Sequence, residues 1–296
     1  MFTLLYQVFY RVQIVIKQVR HGILAYKMKL LNGKEIAGFI KERQAAQVRA
    51  LRQEHKIQPH LAIVVTVENP VIEVYMRLKR QYGADILIDV SVHRVLQKDA
   101  ARTIQKLNAD PNVHAIIVQL PLEDPSETEQ IVSMVEPVKD VDALGAKAIY
   151  EPATPLAIMW LLAGYNVELQ GKSILLIGRG KLVGKPLEKI LLSAGHTVNV
   201  ADRSTEDLKA ECLNADIIIT AAGSPALLFP DMIKQKAVVV DAGVASEDGK
   251  TVGDVASEVY ERDDLTITPT KGGVGPLTVC ALFDNVIRAA RESIKK

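Results

Sequence analysis

Short apolar runs, each too brief for a buried helix, recur along this chain and are separated by stretches with helical spacing. The first three are LAIVVTV (61–67), ADILIDVSVHRV (84–95) and AIIVQLPL (115–122). A second series follows: SILLIG (173–178), HTVNVA (196–201), ADIIITAAG (215–223) and AVVVDAG (237–243). Strands with few polar positions have both faces covered, which is the signature of parallel sheets flanked by helices. Right-handed crossovers through the intervening helices then make an α/β architecture. The predicted helices lie at 35–55, from Asn69–Pro70 to Gly83, near 99–108, at 126–135, from Thr154–Pro155 to Gly164, and from Pro276 to about Lys295. At Thr154–Pro155 a Thr N-cap precedes a Pro at the first helical position.

Composition narrows the class. The 296 residues are 48% hydrophobic and 24% charged, which rules out general disorder. With 36 Lys+Arg against 35 Asp+Glu there is no basic footprint for nucleic acid. Cys212 and Cys280 are too far apart for a CxxC motif, and buried structural thiols are expected. The charge is uneven: residues 1–27 hold Arg11, Lys17, Arg20 and Lys27 and no acid, which leaves the remainder at about −3. Those cations interrupt any membrane span. A targeting segment competes with an appendage preceding a fold that starts at Met28; the lack of Ser disfavours a transit peptide.

Five motifs can carry chemistry. Gly178-Arg179-Gly180-Lys181-Leu182-Val183-Gly184 follows a strand and opens a helix, where backbone N–H groups can receive a pyrophosphate. Its GxGxxxG spacing is weak alone, but the next strand ends at Asp202, about 20 residues on. Asp202 would accept from a ribose 2′-hydroxyl and favour NAD; Arg203 with Arg179 would pair with a 2′-phosphate and favour NADP. The sequence leaves the two open. Tyr75 and Lys79, at i and i+4, share a helix face, which in isolation is usually only a solvated one. Val118-Gln119-Leu120-Pro121-Leu122 puts a polar residue at the carboxyl end of a buried strand, Lys139-Asp140-Val141-Asp142 reads as a solvated turn, and Gly272-Gly273-Val274-Gly275-Pro276 opens the last helix. The six histidines show no metal-ligand spacing.

In this order the blocks resemble the bifunctional methylenetetrahydrofolate dehydrogenase/methenyltetrahydrofolate cyclohydrolase family, over roughly residues 28–291. The resemblance implies two α/β domains with a cleft between them. Residues 28–150, completed by the C-terminal helix 276–296, would be the folate-binding catalytic domain, and residues 151–275 a Rossmann-type dinucleotide-binding domain with a parallel sheet. It implies Lys79 as the catalytic lysine, Tyr75 lining the folate site, Gln119 tuning Lys79 and Asp142 holding the pterin. Leu120, Pro121, Gly273, Gly275 and Pro276 would border the folate. The dinucleotide, NADP by family habit with NAD possible, would meet Gly178, Arg179, Gly180, Val183, Gly184, Asp202, Arg203, Ala222 and Gly243. A cytoplasmic homodimer without metal, membrane or nucleic-acid partner is the matching expectation. A single retained activity, or a silent folate- or nucleotide-binding protein, are the competing readings. The chain departs from the family pattern at Val67–Glu68, Ile72, Ala143-Leu144-Gly145, Gly180, Asp202–Arg203 and Lys271, which bears on cofactor choice more than on reaction type.

Overall fold

The computed structural model describes residues 28–247 and 250–295; the basic leader lies outside the described residues. In chain order the elements are β1 (Lys29–Leu30), α1 (Gly33–Glu54), β2 (His60–Val65), α2 (Pro70–Asp85), β3 (Asp89–Arg94), α3 (Gln97–Ala109), β4 (Ala115–Gln119) and α4 (Thr128–Val132). There follow α5 (Ala153–Gly164), β5 (Ile174–Ile177), α6 (Gly184–Ser193), β6 (Val198–Ala201), α7 (Leu208–Asn214), β7 (Ile217–Thr220), β8 (Val238–Asp241), β9 (Ala245–Glu247), β10 (Lys250–Val252), β11 (Thr266–Ile267) and α8 (Val274–Glu292). Among the described residues two compact units emerge: residues 37–153 with 278–295, and residues 28–36 with 154–277.

The first unit is built on a parallel sheet ordered β3-β2-β4. Its central strand carries Leu61 to Val65, all buried. Ala100, Ile104 and Leu107 of α3, spaced along one helix face, pack with Ile116 and Val118 of β4. Because β3 and β4 leave β2 on opposite sides, the topological switch point lies at the carboxyl end of β2, where open α/β sheets place ligands.

The second unit holds six parallel strands in the order β1-β11-β8-β7-β5-β6. The chain leaves β5 first for β6 and then crosses to β7, the Rossmann arrangement, so its switch point adjoins the end of β5. Leu175, Ile177, Ile218 and Val239 form its core with Cys212. Both cysteines are free and buried, and burial pushes each thiol up to about 11. They are packing groups rather than nucleophiles.

Three local expectations change. Residues 84–88 finish α2 and turn: Leu87 has φ +66° while Ile86 and Ile88 stay buried, so apolar content there marks a buried turn. The helix expected at 126–135 shrinks to a 3₁₀ turn, Pro125–Glu127, and the five-residue α4. Residues 28–36 belong with the second unit, because Lys29 N donates to Leu265 O at 2.9 Å and Leu31 N to Ile267 O at 2.8 Å. A two-residue strand has no periodicity to betray it. Among the described residues no helix is long and apolar enough to cross a membrane.

Within the first unit, α8 is tied to the segment between α4 and α5 by the fully buried Asn285. Its Nδ2 donates to Val141 O and Glu151 O, both at 2.9 Å. Asn285→Ala strands two carbonyls and opens a small void, and is expected to cost about 2–4 kcal/mol in urea unfolding. A loss under about 0.5 kcal/mol would contradict this lock.

Candidate active site

The first unit's site is assembled from α2, β4 and the loop after α4. Pro70 supplies the first turn of α2, and Ile72 and Met76 point into the core. That register leaves Tyr75 41% exposed and Lys79 half-buried one turn further on. Lys79 Nζ donates to Gln119 Oε1 at 2.8 Å. The amide of Gln119 is oriented from its other end, where Nε2 donates to Leu120 O at 2.9 Å. An amide oxygen can hold an ammonium or a neutral amine without adding a charge that would fix the proton.

Asp142 is the third member. The loop that carries it is pinned by Asp140, a buried carboxylate that accepts from Gly145 N at 2.8 Å and Leu144 N at 3.4 Å. Lys139 Nζ donates to the carbonyls of Leu107 (3.0 Å), Asn108 (2.7 Å) and Asp110 (2.7 Å), closing the end of α3. The expected solvated turn is therefore two structural anchors followed by one half-buried acid that faces the electrostatic field of Lys79.

Burial lowers the Lys79 amine below its ordinary value of 10.5, with the nearby Asp142 charge pulling the other way. Burial likewise raises Asp142, opposed by Lys79. Each group thus sits closer to neutrality than in water, which suits one proton moving on and off the amine.

The second unit carries the glycine-rich turn at the end of β5. Gly178 has φ +97°, and a Cβ there would stand 2.6 Å from Ala221 O. At Gly184 a Cβ would stand 1.9 Å from Gly178 O, so only glycine lets α6 begin against the turn. Gly180 faces open space, and Val183 makes no side-chain cap to the helix start. Lys185 N already donates to Gly180 O at 3.0 Å and Pro186 has no N–H, so a pyrophosphate would be met by the open glycine turn itself.

Asp202 follows β6, with Oδ1 accepting from Ser204 Oγ (2.6 Å) and Ser204 N (2.9 Å), bonds that hold its carboxyl below the usual range. Arg203 beside it is exposed. Arg179 forms a two-point ion pair with Glu188 of α6. Gly273, Gly275 and Pro276 also lie in this unit. Their turn abuts the start of α1: Lys34 N donates to Gly272 O at 3.2 Å, and a Cβ on Gly33 would collide with Gly273 O.

Residues 31–142 match the model of the tetrahydrofolate dehydrogenase/cyclohydrolase catalytic domain, and residues 152–294 match that family's NAD(P)-binding domain. The chain belongs to the tetrahydrofolate dehydrogenase/cyclohydrolase family. It is 38% identical to the bifunctional protein FolD of Moorella thermoacetica over 278 residues, 89% of this chain and 99% of that one. The crystal structure of the bifunctional FolD methylenetetrahydrofolate dehydrogenase/cyclohydrolase from Campylobacter jejuni is similar with a TM-score of 0.83 at 35% identity, covering 90% of this chain and 99% of that one. The Trypanosoma brucei enzyme complexed with NADP cofactor and inhibitor gives 0.85 at 29% identity, covering 91% and 99%.

This family member also uses residues that sequence reasoning passed over. Asp241 accepts from Thr220 Oγ1 (3.1 Å), Gly243 N (3.0 Å), Asp254 N (3.1 Å) and Val255 N (3.2 Å). Asp254, wholly buried, accepts from Ala222 N (2.8 Å) and Ser224 N (2.7 Å). Together they set the two loops that carry Ala222 and Gly243 at the carboxyl ends of β7 and β8. The available signal was an acid ending an apolar run, as at Asp202. Among the described residues no group of three or more His, Cys, Asp or Glu is arranged to hold a metal.

The lowered Lys79 has a stability consequence with a definite sign. Between its folded value and 10.5 the unfolded chain binds the additional proton, so unfolding free energy rises with pH across that window. Lys79→Met is expected to flatten that rise in urea midpoints measured from pH 7 to 10.5; an unchanged slope would contradict the lowered amine.

Proposed function

We propose that this chain oxidises 5,10-methylenetetrahydrofolate with a nicotinamide dinucleotide and hydrolyses the resulting methenyl compound to 10-formyltetrahydrofolate. The single observation that carries the reading is the Lys79–Gln119 hydrogen bond beside Asp142, inside the segment that matches the family's catalytic domain. In the first step a ring nitrogen lone pair expels hydride, and the bound dinucleotide supplies the hydride acceptor. The protein's task there is to orient two ligands. Asp142 holds the pterin, and Tyr75, Leu120 and Pro121 line the folate. Gly178, Gly180, Val183, Gly184, Ala222 and Gly243 bring backbone to the dinucleotide, with Arg179, Asp202 and Arg203 at its adenosine end.

Hydrolysis needs a proton removed as water adds to the bridging carbon and a proton delivered as the ring opens. Lys79, whose proton burial makes easier to remove, serves both, and Gln119 holds Nζ through the change of charge. The family's dinucleotide domain takes NAD(P), and the trypanosomal relative is complexed with NADP. We further infer a homodimer, for which β3, at the edge of its sheet among the described residues, offers an open edge. A cytoplasmic location is the matching family-based reading.

Purified protein mixed with methylenetetrahydrofolate and NAD or NADP is expected to reduce the nicotinamide while the methenyl chromophore decays. No signal in either channel would overturn the proposal. Lys79→Ala is expected to cut methenyl hydrolysis by about 10²–10⁴-fold, the usual worth of a positioned acid–base group. Hydrolysis at the unsubstituted rate would reject that role for Lys79.

A further inference from the structure

Glu188 lies on the second turn of α6, and its carboxylate takes the Arg179 guanidinium side-on: Nε to Oε2 at 2.7 Å and Nη2 to Oε1 at 3.1 Å. Only 15% of the Glu188 side chain is exposed, against 54% for Arg179, so the acid is the anchored partner and the arginine folds onto it. This fork is the geometry by which an arginine would otherwise clasp a phosphate, and here the side-on pair of donors is committed to a carboxylate. Arg179 also feels the charge of Asp202, whose position at the end of the strand after the glycine turn is where a Rossmann fold presents an acceptor to the ribose 2′-hydroxyl. Both Asp202 bonds from Ser204 end on Oδ1, which orients the carboxylate while Oδ2 takes neither.

We infer that Glu188 is a specificity-determining residue of the dinucleotide site. By pairing Arg179, and with Asp202 beside it, Glu188 sets the adenosine end for a 2′-hydroxyl rather than a 2′-phosphate, so that this chain prefers NAD. The charges explain the direction. A 2′-phosphate brings up to two negative charges to a place where Glu188 and Asp202 already offset Arg179 and Arg203. It must therefore draw Arg179 from an anchored partner and approach two carboxylates. A 2′-hydroxyl brings no charge and donates a hydrogen bond that Asp202 can accept. Glu188 touches no cofactor in this scheme; it acts through Arg179 and is a positioning residue.

The inference rests on the dinucleotide-dependent reading above and can fail without it. Full-length protein without folate is titrated calorimetrically with NAD, NADP, ADP and adenosine 2′,5′-bisphosphate. The unsubstituted chain is expected to bind NAD more tightly than NADP. Glu188→Gln is expected to tighten NADP and the bisphosphate by about tenfold, the worth of one charge-assisted contact, and to leave NAD and ADP within about twofold. Glu188→Ser gives the same direction by another side chain, with circular dichroism to verify the fold of each. Arg179→Ala added to Glu188→Gln is expected to abolish the gain. Tighter NADP than NAD in the unsubstituted chain, or weaker NADP binding after Glu188→Gln, would overturn the inference while leaving dinucleotide binding intact. Binding of none of the four would overturn both readings.

Discussion

A buried amine held 2.8 Å from an amide oxygen, not from a carboxylate, is the constraint around which the first unit is arranged. Desolvation lowers Lys79, and an anion in direct contact would undo that lowering. The molecule instead offers Gln119 as a neutral acceptor and keeps the acid, Asp142, outside the direct hydrogen bond. Three supports maintain that difference. The end of β4 fixes Gln119, the register of α2 turns Lys79 inward, and Asp140 with Asn285 holds the loop that carries Asp142. Loss of any one would change where the amine's proton resides.

The second unit meets a different demand, the approach of backbone rather than of a titrating group. Gly178 and Gly184 bring the β5 turn and α6 together at separations that no side chain permits. Asp241 and Asp254 spend their hydrogen-bonding capacity on main-chain N–H groups of the neighbouring loops. A buried carboxylate such as Asp254 is costly unless satisfied, so its N–H partners both stabilise it and, with those of the half-buried Asp241, remove slack from those loops. Arg179, Asp202 and Arg203 are exposed by comparison, and Glu188 of α6 lies half-buried against Arg179.

The parallel strands, the glycine turn and the pairing of Tyr75 with Lys79 on one helix face were legible because periodicity and local residue type determine them. Gln119 was legible by position, as a polar residue ending a buried run. What escaped depends on contacts distant in sequence. Residues 28–36 join the second unit through two strands of two residues each, and neither contains a period. Asp140 looks like its neighbour Asp142 until the loop closes on it through Gly145. Asn285, inside an otherwise apolar helix face, declares its role only when Val141 and Glu151 arrive 144 and 134 residues away in the chain. Glu188 reads as an ordinary helix-surface acid, since its partner is nine positions back in a turn.

Lysine side-chain NMR on protein with isotope-labelled lysines tests the central claim most directly, because it reads the protonation of one amine in the folded chain. With Lys79 assigned by substitution, its resonance is expected to titrate below 10.5, and Gln119→Glu, which places a carboxylate at the same contact, is expected to return the midpoint upward. A Lys79 that titrates at 10.5 in the unsubstituted protein, or one indifferent to Gln119→Glu, would contradict a site built on a desolvated amine.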